Sequence, residues 1–158
     1  MAAMTIRSAV NVSALTSHAG FWLRLVSNHV SHGFARKLAG SGATVAEWVI
    51  LREILEAGTT SPGRLATSTG LTRGAVSKLV DRLVRKGLVN RTEADRDRRF
   101  QDVELTVAGR ALVPRLAALA DRNDQEFFSR LSAREREALV ATLRKLVVLH
   151  DLKGMPTT

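Results

Sequence analysis

Cysteine is absent from the 158 residues. That excludes a disulfide scaffold, a thiolate metal site and a thiol redox switch within this chain, and it is compatible with the cytoplasm. Long apolar runs are missing too: no stretch approaches the ~20 residues needed to span a bilayer. Met1–Ser17 carries a single cation, Arg7, and no continuous apolar segment, so it reads as an arm and not as a signal peptide. There is no internal repeat and no low-complexity segment. Nor is there a nucleophile paired with a base, a metal-ligand set or a phosphate-cradling glycine loop. His29 and His32 stand at helical spacing, but no acidic or Cys partner lies nearby in sequence. The expectation is a cytoplasmic protein that is not an enzyme, holds no cofactor or metal and does not partner a membrane.

What is present is a core and an uneven positive charge. Hydrophobic residues make up 45% of the chain, enough for one substantial core. The net charge of +9 is concentrated: between Ser61 and Val89, Arg64, Arg73, Lys78, Arg82, Arg85 and Lys86 face a single acid, Asp81. A basic face of this kind points to a polyanion.

Taken in order, the chain predicts six helices and a pair of strands. The first helix runs from near His18 to Ala39, with Trp22, Val26, Val30, Phe34 and Leu38 repeating at i+4. Gly40-Ser41-Gly42 breaks it. Thr44-x-x-Glu47 is a capping box opening a second helix that is apolar on several sides and therefore centrally buried. Thr59-Thr60 can add a minimal strand. Ser61 as N-cap and Pro62 at the first helical position open the third helix.

Gly70 then allows a tight turn, and Thr72 caps a fourth helix ending at Lys86-Gly87. Val76 and Leu79 fall on its inner face, leaving Arg73, Gly74, Ser77, Lys78 and Arg82 outside. This is the spacing of a helix-turn-helix, whose second helix suits a major groove. Leu88–Glu93 and Phe100–Leu105 read as antiparallel strands around a tip bearing Arg96, Arg98 and Arg99. A fifth helix follows Thr106 to roughly Leu131, with Pro114 expected to kink it. Ser132-x-x-Glu135 caps a sixth, which runs to about His150 before Lys153-Gly154-Met155-Pro156 ends it.

The ordered set Gly70-Leu71-Thr72, Val76–Leu83, Lys86-Gly87-Leu88-Val89, Arg91, Asp97-Arg98-Arg99 and Leu105-Thr106-x-x-Gly109 resembles the MarR (multiple-antibiotic-resistance regulator) family of winged helix-turn-helix transcription factors. One departure is Asp95, where many members have proline. The resemblance implies a mainly α fold with a small β-wing, flanked by N- and C-terminal dimerisation helices. The division is an arm (1–17), dimerisation helix 1 (18–43), a winged helix-turn-helix DNA-binding domain (44–106), dimerisation helices 5 and 6 (107–152) and a tail (153–158). It further implies a homodimer on double-stranded DNA, at a pseudo-palindromic operator with half-sites ~34 Å apart. Independently, the first, fifth and sixth helices carry more apolar surface than a small winged domain could cover.

Roles follow. Arg73, Ser77 and Lys78 are base-edge candidates, and Gly74 lies among them on the same face. Thr72 and the N–H groups behind it are suited to a phosphate. Arg64 and Arg82 are phosphate candidates, although each could be an ordinary surface arginine. By resemblance, Arg98 or Arg99 enters a minor groove, with Arg96 beside them on the tip. Family members commonly bind small aromatic or anionic effectors between the dimer helices and the winged domain, which makes Trp22, His29, Trp48 and Arg52 effector candidates. The function expected is that of a sequence-specific transcriptional regulator, a repressor relieved by a small-molecule effector. The rival is a sequence-indifferent architectural DNA protein.

Overall fold

The computed structural model describes residues 12–93 and 101–154. Its elements run α1 (Ala19–Leu38), α2 (Val45–Ala57), β1 (Thr59–Thr60), α3 (Pro62–Thr69), α4 (Arg73–Arg85), β2 (Val89–Glu93), β3 (Gln101–Leu105), α5 (Val107–Phe128) and α6 (Ala133–Leu149). A single 3₁₀ turn, Leu15–Ser17, precedes α1 within the segment read as an arm. The fold is thus mostly helical with a small antiparallel sheet, as the sequence predicts. The three strands lie in the order β1-β3-β2. Thr59 and Thr60 pair with Glu104 and Val103, so β3 is the central strand and the wing is more than a hairpin.

Short polar side chains start the helices where the sequence places them. Thr44, Ser61, Thr72, Thr106 and Ser132 each accept a hydrogen bond from the backbone N–H three residues on. Each such cap contributes about 1 kcal/mol. Both expected capping boxes are complete, with Glu47 and Glu135 reaching back to the N–H groups of Thr44 and Ser132. At the other end of α4, Leu88 N–H donates to Leu83 C=O and Gly87 N–H to Val84 C=O, a Schellman motif with Gly87 in the left-handed region at φ +69°. Leu88 is consumed by this turn, and so β2 begins at Val89 and not at Leu88.

One further boundary differs from the sequence reading. α5 stops at Phe128, not at Leu131, because the N-cap of α6 requires Ser132 to be extended (φ −64°, ψ 159°) and the chain must first turn through Ser129–Leu131. α6 ends at Leu149 with His150 as its C-cap, close to where the sequence places its end. There Asp151 takes φ +46°, and Leu152 N–H and Asp151 N–H close a second Schellman turn on Val147 and Val148. Helical assignment continues through Pro114, whose side chain is exposed.

The core lies between α2, α4, β3 and the first half of α5. Ile50, Leu51, Ile54, Val76, Val80, Leu83, Val103 and Leu116 have no measurable exposure. Burying each such side chain stabilises by about 1.5–3 kcal/mol before conformational entropy is charged against it. α1 crosses α5, where the buried Asn123 donates its Nδ2 to Val30 C=O at 3.1 Å. α6 is different in kind: none of its residues is buried.

Candidate nucleic-acid interface

The turn between α3 and α4 is built from side-chain hydroxyls. Thr69 Oγ1 donates to Leu65 C=O at 2.6 Å and accepts from Leu71 N–H at 3.4 Å, which closes α3 against the turn. Thr72 Oγ1 accepts from Ala75 N–H at 3.2 Å. The N–H groups of Arg73 and Gly74, in the first turn of α4, have no partner within the helix and face whatever lies beyond its N-terminus.

The faces of α4 sort cleanly. Val76, Leu79, Val80 and Leu83 are buried, while Thr72, Arg73, Gly74, Lys78 and Arg82 are exposed and Ser77 is half-buried. Arg64, on α3, is exposed as well. The structure therefore leaves the helix-borne candidates open to solvent, Ser77 in part.

At its far end α4 meets a buried carboxylate. Glu47, on the first turn of α2, is 1% exposed. Its Oε2 accepts from Thr44 N–H at 2.9 Å and from Lys86 Nζ at 2.8 Å. Lys86 Nζ also donates to Gly42 C=O at 2.9 Å. Arg82 Nε stands 3.9 Å from the other carboxylate oxygen. Burial alone would raise the pKa of Glu47. The Lys86 and Thr44 hydrogen bonds and the positive charges of Lys86 and Arg82 outweigh it and hold the carboxyl below its ordinary value. Arg82 is accordingly a half-exposed side chain near a buried anion, as well as a phosphate candidate.

Arg96, Arg98 and Arg99, with Asp95 and Asp97, lie outside the described residues. The root of the wing is described. Arg91 on β2 pairs with Asp81 on α4 at 2.8 Å. Thr106 Oγ1 donates to Gly87 C=O at 2.7 Å, and Thr106 N–H donates to Leu88 C=O at 3.1 Å. A Cβ at Gly109 would stand 2.1 Å from the Leu88 carbonyl oxygen. Only glycine lets the start of α5 come this close to the end of α4, and the wing, α4 and α5 are joined there.

The four effector candidates do not converge on one pocket. Arg52 lies over the Trp48 ring, 5.7 Å from its centroid, and Phe34 meets Trp48 edge-on at 6.4 Å. His29 instead approaches Phe127 on α5, at 5.6 Å. Trp22 donates its Nε1–H to Thr16 C=O at 2.9 Å and meets Phe21 edge-on at 5.1 Å. A cleft of ≈ 600 Å³ opens elsewhere, between the end of α1 and the start of α2, lined by Ala35, Leu38, Ala43, Val45 and Lys86 among others.

Sequence reasoning took Glu47 for a cap alone, and read Lys86 only as one cation of the basic face at the close of a helix. A carboxylate set among Val45, Ala46, Trp48, Val49 and Ile50 at the start of a central helix was the available signal, since such a group is buried only with a cationic partner. The partner's place in the chain, thirty-nine positions on, was not readable. Asn123 was missed for the same reason.

A family model described as MarR family matches residues 41–99. A transcriptional regulatory protein named for the hcr operon of Thauera aromatica is 30% identical over 134 residues, covering 84% of this chain and 81% of that protein. Among solved structures, Bordetella bronchiseptica BpsR, described with regulation of its DNA binding by 6-hydroxynicotinic acid, is similar with a TM-score of 0.77 and 28% identity over 86% of this chain and 97% of that one. A mutant Escherichia coli MarR complexed with operator DNA has a TM-score of 0.76 and 26% identity over 86% and 99%. With the winged helix-turn-helix in place and these likenesses spanning most of its length, the chain belongs to the MarR family.

Proposed function

We propose that the protein is a dimeric, sequence-specific DNA-binding transcriptional regulator, a repressor that a small molecule releases from its operator. The observation that carries this reading is the outward face of α4, where Arg73, Lys78 and Arg82 are exposed behind a Thr72-capped N-terminus. Arg73 and Lys78 reach base edges, Arg64 and Arg82 reach phosphates, and the first-turn N–H groups hold another phosphate. The arginines of the wing tip complete the contact in the adjacent minor groove. The operator complex of the E. coli relative supports the same use of this fold.

Dimerisation has its own support. Trp22 and Leu25 on α1 and Val147 on α6 are about half exposed, and Val148 is 79% exposed. So much apolar surface on α1 and α6 fits a second copy of the chain. Two copies would place their α4 helices ~34 Å apart, one duplex turn. For the effector, the Trp48–Arg52 pair offers a ring face and a cation to an aromatic acid, in keeping with the 6-hydroxynicotinic acid named for BpsR.

The test is selection of duplexes from a random pool by the purified protein, followed by a shift assay against scrambled competitor. An enriched inverted repeat bound at least 10³-fold more tightly than competitor is expected for a specific regulator. A ratio near unity would replace this reading with a sequence-indifferent architectural one.

A further inference from the structure

We propose that Glu47 is a positioning residue for DNA recognition: through Lys86 and Arg82 its buried carboxylate locks the C-terminal half of α4 at one angle on α2. The inference rests on the DNA-binding reading above and assigns that surface a part it does not itself contain.

The apolar contacts of Val76, Val80 and Leu83 hold α4 down, but burial is non-directional and tolerates sliding and rotation. Hydrogen bonds to a charged group are short and directional. Lys86 Nζ makes two, to Glu47 Oε2 at 2.8 Å and to Gly42 C=O at 2.9 Å, so the residue closing α4 is tied both to α2 and to the turn before it. Glu47 is in turn fixed by Thr44 N–H at 2.9 Å. One rigid corner therefore sets the direction of a 13-residue helix whose opposite end carries Arg73 and Ser77. At ~1.5 Å per residue, that end lies ~15–20 Å away, where a small change of tilt becomes a displacement of ångströms. Arg82, half exposed and 3.9 Å from Glu47, can be shared between the carboxylate and a phosphate. Lys86, with donors spent on Glu47 and Gly42, serves the protein and not the duplex.

The experiment uses a duplex selected from a random pool by the wild-type protein and a scrambled duplex of equal length. Glu47→Gln keeps an acceptor for Thr44 N–H but removes the charge, and Lys86→Met keeps the stem and removes the ammonium. Each single variant is expected to bind the selected duplex on the order of tenfold or more weakly, the scale of a lost charge-assisted hydrogen bond. Binding of the scrambled duplex and the slope of log affinity against log salt are expected to stay as in the wild type. The double variant is expected to be no worse than the weaker single, because both changes break one contact. Hydrogen exchange in the last turn of α4 should quicken in both singles.

Undiminished binding of the selected duplex by the Gln variant, below its unfolding temperature, would overturn the proposal. So would a Lys86→Met variant that loses ~0.9 of salt slope per subunit and weakens equally on both duplexes, since Lys86 would then be a phosphate contact. If Glu47→Gln does not fold, Lys86→Met decides alone. A pool in which the wild type enriches nothing defeats the DNA-recognition reading itself, a failure separate from that of Glu47.

Discussion

Position 109 has room for a hydrogen and nothing larger. An alanine there would drive its methyl into the Leu88 carbonyl, which belongs to backbone and cannot swing aside. Gly109→Ala is expected to destabilise by about 2–4 kcal/mol, read as a fall in thermal midpoint by circular dichroism, whereas Gly74→Ala, with nothing near its Cβ, should leave stability unchanged or slightly raised. The sequence carried the glycine as a motif letter without its reason, because the opposing carbonyl is a backbone group that no residue type announces. Glu47 teaches the converse. Its folded pKa lies below the ordinary 4.5, so its contribution is fully present above that value and is lost as pH falls through the folded pKa. Acid titration of stability should therefore be shallower for Glu47→Gln than for the wild type below about pH 4.5. Equal slopes would mean that folding leaves the pKa of the Glu47 carboxyl unchanged.

Among the elements, α4 was the most legible, since cap, apolar stripe, outer cations and closing glycine all lie within one short window. Thr72→Ala should cost about 1 kcal/mol of stability through the lost cap. Arg73→Ala should cost about 1–3 kcal/mol of binding and relax base preference at one position of a selected site. For the wing, the strands were legible from alternation and the third strand from little more than Thr59-Thr60. Arg98→Ala with Arg99→Ala is expected to flatten the salt dependence of binding by ~1–2 phosphate equivalents per subunit, and an unchanged slope would remove the wing from the interface. The end of α5 was less legible, because the local competition there is between continuing a helix and satisfying the next cap. α6 stops close to the expected His150, although Asp151 enters the left-handed region without the glycine that usually marks such a stop.

At the scale of the whole molecule, α6 holds no buried residue within its own subunit, and its stability has to come from elsewhere. Replacing Val147 with Glu should convert the protein to a monomer in sedimentation equilibrium at micromolar concentration and abolish binding to a two-half-site duplex. A variant that stays dimeric would move the interface off this face. An effector that releases DNA must prefer the unbound arrangement, and by linkage DNA must weaken the effector by the same factor, measurable by titrating one in the presence of the other.

The close seat of Gly109 gives α5 a mechanical meaning. Its first turn is wedged against the Leu88 carbonyl just past the end of α4, so under the proposed function α5 and the DNA-reading head would turn together. Its 22 residues make an arm ~33 Å long. Pivoting such an arm by ~5° at its distal end sweeps the proximal end by ~3 Å. On the proposed reading, that would take an arginine out of register with a guanine edge, so an effector lodged far from the duplex would need only to tip the arm.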